Sequence, residues 1–194
     1  MKKVFAFDFD GTLTTRDSLI AFLRYACGTR RFLLGMLRHA HLIALMLLKL
    51  YPNGRAKERL FSYFFEGVTL DTFNQLCQQF ARDKRQLLRP QAIETVAKAQ
   101  AEGTRVFIVS ASVDNWVAPF FPGVEIIGTQ VEVIDGYLTG RFLTPNCYGP
   151  EKVRRLRTAC PDLDHCHLTA FGDSRGDREL LQLADEAHYK PFRT

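Results

Sequence analysis

Two rhythms of apolar and polar residues divide the chain. The first is β-like: Lys3 to Asp8 (KVFAFD) is a short β-prone run closed by the turn formers Asp-Phe-Asp-Gly-Thr. The second is helical. From Asp17 to Tyr51 the pattern is leucine-rich with helical spacing, with Gly28 and Gly35 as expected breaks, and it ends at the turn Pro52-Asn53-Gly54. Gly54 to Glu66 and Asp71 to Lys84 predict two more helices, the second capped by Asp71. Beyond Lys84 the rhythms alternate. Pro90 to Glu102 reads as a helix, with proline near its start and Gly103 past its end. Thr104 to Val109 reads as a buried strand and Val113 to Pro119 as a short helix, whose Trp116 is expected to pack on the sheet with Phe120 and Phe121. Val124 to Ile127 follows as a strand, and Val131 to Phe142 as a hairpin about Asp135-Gly136. Glu151 to Ala159 predicts a helix, Cys166 to Phe171 a strand, Arg178 to Leu183 a helix and Ala187 to Lys190 a last strand.

Strands alternating with helices predict an α/β fold, a Rossmann-like parallel sheet wound on both faces. The helical stretch after the first strand is too long for one crossover, so it reads as an inserted all-helical cap. Residues 1–16 with 85–194 then form the core domain, and 17–84 the cap. A hydrophobic content of 46% with 24% charged residues excludes a disordered chain. Five cysteines without a CxxC pair give neither a disulfide framework nor a zinc ribbon, which suits a reducing compartment. Alternation puts His165 and His167 on one face, but two ligands do not make a zinc site. Asp8 and Asp10 interrupt the first apolar run, unlike a secretory signal, and no stretch reaches the ~18 apolar residues of a membrane span. The expected location is the cytoplasm.

Charge changes the picture of the cap. The chain carries +5 overall, yet eight cations between Ser18 and Leu60 (Arg24, Arg30, Arg31, Arg38, Lys49, Arg55, Lys57, Arg59) face a single acid, Glu58. That segment is therefore +7 and the remainder −2. A confined basic excess points to one surface that meets an anion, not to a nucleic-acid coat. Inside it lies Phe32 to Leu50, apolar nearly all round. Two readings stand: a cap helix packed on its neighbours, or a helix in the membrane interface that gives residues 30–50 peripheral contact with the inner membrane face.

Ligands of an open parallel sheet bind beyond the carboxyl ends of its strands. Three predicted strands end in small or acidic residues: Asp8-Phe9-Asp10-Gly11-Thr12, Ser110-Ala111-Ser112, and Gly172-Asp173-Ser174-Arg175-Gly176-Asp177. In an extended segment Asp8 and Asp10 point to the same side, and Gly11 lets the backbone turn closely around an anion. Two such carboxylates repel, a divalent cation relieves them, and oxygen-only ligands favour magnesium. A calcium EF-hand fails, because its sixth and twelfth positions would be Leu13 and Leu19. With metal and anion in place, one aspartate attacks phosphorus to give an aspartyl-phosphate, and the other protonates the leaving oxygen and then activates water. Ser110 and Lys152, the latter at a helix start, supply donors to the phosphoryl oxygens.

These motifs, in this order, resemble the haloacid dehalogenase superfamily of aspartate-nucleophile phosphatases. Asp8-Phe9-Asp10-Gly11-Thr12 matches its first motif, Ser110 its second, Lys152 its third, and Gly172-Asp173 with Asp177 its fourth. A helical insertion after the first motif is similar to the branch of phosphoserine phosphatases and bacterial phosphatidylglycerophosphatase-type enzymes. The resemblance implies Asp8 as nucleophile and Asp10 as general acid and base. It implies Mg2+ held by Asp8, the Asp10 carbonyl and Asp173, with Asp177 in the outer shell, and phosphate bound by Gly11, Ser110, Ala111 and Lys152. Two departures bear on substrate. Ser110-Ala111-Ser112 stands where phosphoserine phosphatases have Ser-Gly-Gly, and Asp17 where they have a glutamate that meets the substrate ammonium. Arg55 or Arg59 would meet a substrate carboxylate. The expectation is a magnesium-dependent phosphomonoester hydrolase acting on phosphoserine-like small molecules. The alternatives are a membrane-associated lipid-phosphate phosphatase, a phosphotransferase, or a non-catalytic phosphate- or lipid-binding module; two retained aspartates speak against the last.

Overall fold

The computed structural model describes residues 2–193. Five parallel strands form the main sheet in the order β3 (Glu125–Thr129), β2 (Arg105–Val113), β1 (Lys2–Phe7), β6 (Cys166–Gly172), β7 (Glu186–Tyr189). Val4, Ala6 and Phe7 of β1 are all buried, as a strand covered on both faces requires. Hydrogen bonds on either side set Phe7 against Ile108 of β2 and Phe171 of β6. The chain winds outward from β1 through β2 to β3, then returns to place β6 on the other flank. The crevice at this switch lies beyond the carboxyl ends of β1, β2 and β6, where a ligand is expected.

One face of the sheet packs on α7 (Pro150–Ala159) and α8 (Arg178–Leu183) through Val109, Leu156, Leu168 and Leu180. The other carries α5 (Pro90–Ala101) and a helical layer rich in phenylalanine: α1 (Ser18–Arg38), α2 (Ala40–Leu47), α3 (Asn53–Phe65) and α4 (Leu70–Asp83). In α4, Phe73, Cys77, Phe80 and Ala81 make one buried stripe at helical spacing. Its cap is Thr69, not the expected Asp71: the Thr69 side chain accepts from the Thr72 amide, and Asp71 sits in the first turn, where its charge meets the helix dipole. Gly28 breaks α1 as expected, with φ 72° and ψ 161°. Gly35 does not. A Cβ there would lie 2.3 Å from the Phe64 ring, so this glycine lets α1 pass closely over α3.

Other departures have local causes. The short helix α6 (Asp114–Val117) packs beside β2 and β3 as expected, and its Trp116 also meets the helical layer: it stacks on Phe22 of α1 at 4.9 Å and donates to the Ser18 hydroxyl. Strand β2 runs on to Val113 through a register shift against β3, which takes Ser110 to Ser112 inside the strand. His165 closes a turn before β6, so it does not share a strand face with His167. The expected hairpin forms as β4 (Val131–Ile134) and β5 (Tyr137–Phe142), with Asp135 at φ 50° and Gly136 at φ 81°. It packs against α3, where Phe142 meets Phe61 and its amide donates to Glu58.

Candidate active site

Lys152 is the hub of the strand-end crevice. Pro150 starts α7, and Lys152 projects from its first turn into the interior, 1% exposed. Its ammonium donates to Asp8 Oδ1 at 2.5 Å, the Val109 carbonyl at 2.6 Å and Asp177 Oδ1 at 2.7 Å. Burial alone would lower the lysine pKa, but the two carboxylates outweigh it and raise it, so the ammonium stays charged. Asp8 is almost wholly buried at the end of β1. Burial pushes its carboxyl up to about 7, against the pull of Lys152. Asp177 ends below its usual value: burial works against ionisation, but Lys152 and the Ser174 hydrogen bonds prevail.

Asp10 reaches the same cavity by a different route from the one alternation predicts. Asp8 and Asp10 both keep extended dihedrals, with ψ 157° and 118°, but the turn over Phe9–Leu13, in which Gly11 takes φ 82°, breaks the strand between and after them. The Asp10 carboxylate turns toward the helical layer, accepting from the Ser18 amide at 2.6 Å and from the Ser112 hydroxyl. Burial first, then the nearby charge of Asp17, raises its pKa. Ser18 and Ser112 also bond each other at 3.2 Å, which links Trp116, Ser18, Ser112 and Asp10 in one chain. The sequence signal for Ser112 is its spacing of two from Ser110, because i and i+2 share a strand face.

Asp8, Asp173 and Asp177 bring carboxylate oxygens within 4.8 Å of one another. Those of Asp177 are engaged, one by Lys152 and the other by the amides of Asp173 and Ser174 and the Ser174 hydroxyl. Asp173 differs. Arg193 donates to its Oδ2, while Oδ1 is buried without a hydrogen-bond partner. Gly11 passes so close that a Cβ would lie 2.5 Å from Asp173 Oδ2. An all-oxygen donor set with one unpartnered buried oxygen fits a hard cation such as magnesium.

A cavity of about 310 Å³ opens over these groups, lined by Asp8, Asp10, Gly11, Asp17, Ser110, Ala111, Lys152, Asp173 and Asp177. Of the three cap residues read from the sequence, only Asp17 is there, and it also caps α1 by accepting from the Leu19 and Ile20 amides. Arg55 and Arg59 do not line it. They face a neighbouring cavity of about 610 Å³ with Glu58, Ser62, Glu66 and Arg141. The residues of the helical layer over the aspartates are instead Asn53 and Lys57, joined by Tyr148. Positions 53 and 57 are four apart and share a helix face, whereas Arg55 lies about 200° round from Asn53.

The family model of haloacid dehalogenase-like hydrolases matches residues 5–182 of the chain. Protein CicA of Caulobacter vibrioides is 39% identical over 196 aligned positions, covering 97% of this chain and 86% of that protein. Among solved structures, a protein of unknown function from Bordetella pertussis Tohama I superposes with a TM-score of 0.83 at 22% identity, covering 96% of this chain and 89% of that one. A substrate-bound phosphoserine phosphatase gives 0.68 at 18% identity, covering 97% and 86%. At these identities the two superpositions are likenesses of fold.

Proposed function

Because the chain belongs to the haloacid dehalogenase-like hydrolase family, we propose that it is a phosphatase that cleaves phosphomonoesters with Asp8 as nucleophile and Asp10 as general acid and base. The observation that carries this reading is the pairing of buried Lys152 with both Asp8 and Asp177, beside the unpartnered Asp173 oxygen. Asp8 attacks phosphorus, and the leaving alkoxide takes its proton from Asp10. The resulting aspartyl-phosphate is then cleaved by a water whose proton returns to Asp10, which regenerates both carboxyls. Ser110, the Ala111 backbone and Lys152 bind the phosphoryl oxygens. Asp8, Asp173 and the Asp10 carbonyl would hold magnesium, which supplies positive charge to those oxygens. The segment 17–84 acts as the cap, and through Asn53, Lys57 and Asp17 it meets the rest of a small phosphorylated substrate.

The direct test is release of inorganic phosphate from a panel of small monoesters. Asp10→Asn is expected to keep its fold by circular dichroism and to lose about 10²–10⁴-fold in rate, the usual worth of a positioned acid. An unchanged rate would remove Asp10 from the mechanism. Metal removal gives a second check. Chelation should abolish release and magnesium should restore it, with Asp173→Ala shifting the metal requirement upward. Loss of outer partners alone costs ~10–100-fold in affinity, so a lost direct ligand should cost at least that. Full activity in excess chelator would show that the acidic cluster has been misread.

A further inference from the structure

We propose that the surface formed by the second half of α1, α2 and the turn into α3 docks peripherally on an anionic lipid bilayer. Scattered exposed leucines are ordinary on a protein surface; seven exposed leucines within residues 33–50 are not. Leu33, Leu34 and Leu37 are 58–75% exposed, and Leu47, Leu48 and Leu50 are 68–73% exposed. None of the eight residues of α2 is buried. No described helix is long and apolar enough to cross a membrane, so the geometry is that of helices lying in the interface.

Charge selects the partner. From Ser18 to Lys57 the sequence contains not one aspartate or glutamate, and Arg30, Arg38 and Lys49 are exposed beside the leucines. A second copy of the chain seated on this face would set cation against cation. An anionic headgroup layer instead pairs with the basic rim while the leucines enter its apolar margin. The turn after α2 is made for the same contact. Leu50 donates back to the Leu45 carbonyl and Lys49 to Met46, with Lys49 in the left-handed region at φ 60°, where glycine is the usual occupant. A lysine there places a cation amid three exposed leucines, able to snorkel to the headgroups. Leu50 lies only three residues before Asn53, so docking would hold one lip of the active-site cavity at the membrane surface.

Cosedimentation with vesicles of one part phosphatidylglycerol to three parts phosphatidylcholine tests this. Binding is expected at low ionic strength, little or none with pure phosphatidylcholine, and release as salt shortens the Debye length to about 3 Å near 1 M. The triple variants Leu47→Ser/Leu48→Ser/Leu50→Ser and Arg30→Gln/Arg38→Gln/Lys49→Gln should each lose at least about tenfold in partitioning, while hydrolysing a soluble monoester at the unchanged rate. Asp8→Asn should bind vesicles like the unaltered protein, so a failed phosphatase reading leaves docking intact. Protein that stays in the supernatant at low salt overturns the proposal, as does equal binding to neutral vesicles. A leucine variant that turns a dimer into a monomer without changing vesicle binding also overturns it, and makes the face a contact between copies.

Discussion

Asp8→Asn is expected to lower phosphate release by at least about 10³-fold, with no phosphorylated protein trapped on acid quench. The substitution is nearly isosteric. Its amide oxygen can still accept from Lys152, which now has Asp177 as its one charged partner. What disappears is the anionic oxygen that would attack phosphorus; the free Oδ1 of Asp173 is no substitute in this reading, because it would hold the metal. Asp10 is tied to Ser18 and Ser112, and Asp177 to Lys152 and Ser174. Rapid-quench measurement with radiolabelled substrate is the check. Turnover near that of the unaltered protein would end the covalent mechanism while leaving the fold untouched.

Lys152→Met should act on stability as well as rate. Removing one partner of a buried ion pair costs about 3–5 kcal/mol, because the remaining charge is left without compensation. Here two carboxylates, Asp8 and Asp177, lose the same ammonium, and the Val109 carbonyl loses a donor. Urea unfolding should therefore show a midpoint lowered by that amount divided by the slope. Adding Asp177→Asn to the variant should recover part of the loss, since one of the two stranded charges is gone. A double variant less stable than the single one would contradict this account.

The sequence points to which residues meet, because each of Asp8, Ser110 and Asp173 sits at or near the end of an apolar run that reads as a buried strand, and the observed sheet order brings those ends together. It does not show how Asp10 is held. Its partners come from α1 and β2, and their approach depends on the turn at Gly11 and on the register shift in β2, neither of which has a periodic signature. The helical layer is harder still. Helical spacing makes α3 a helix, but its rotation over the core is set by packing, with Phe61, Phe64 and Phe65 directed inward. That rotation brings Asn53 and Lys57 over the site and turns Arg55 and Arg59 to the next cavity. Gly35 shows the same limit: a glycine in a helical run reads as a break until the ring it accommodates is known.

The single tryptophan stands at the seam between the helical layer and the sheet. Its indole is buried, stacked on one side by Phe22 and bonded to the same hydroxyl that borders the Asp10 partners. Any excursion that lifts α1 from the core strips it of both the ring and the hydroxyl at once and lets water in. The molecule thus carries a built-in optical gauge: emission from one fluorophore, with no label and no competing signal from a second indole, reports whether the two layers are closed or parted.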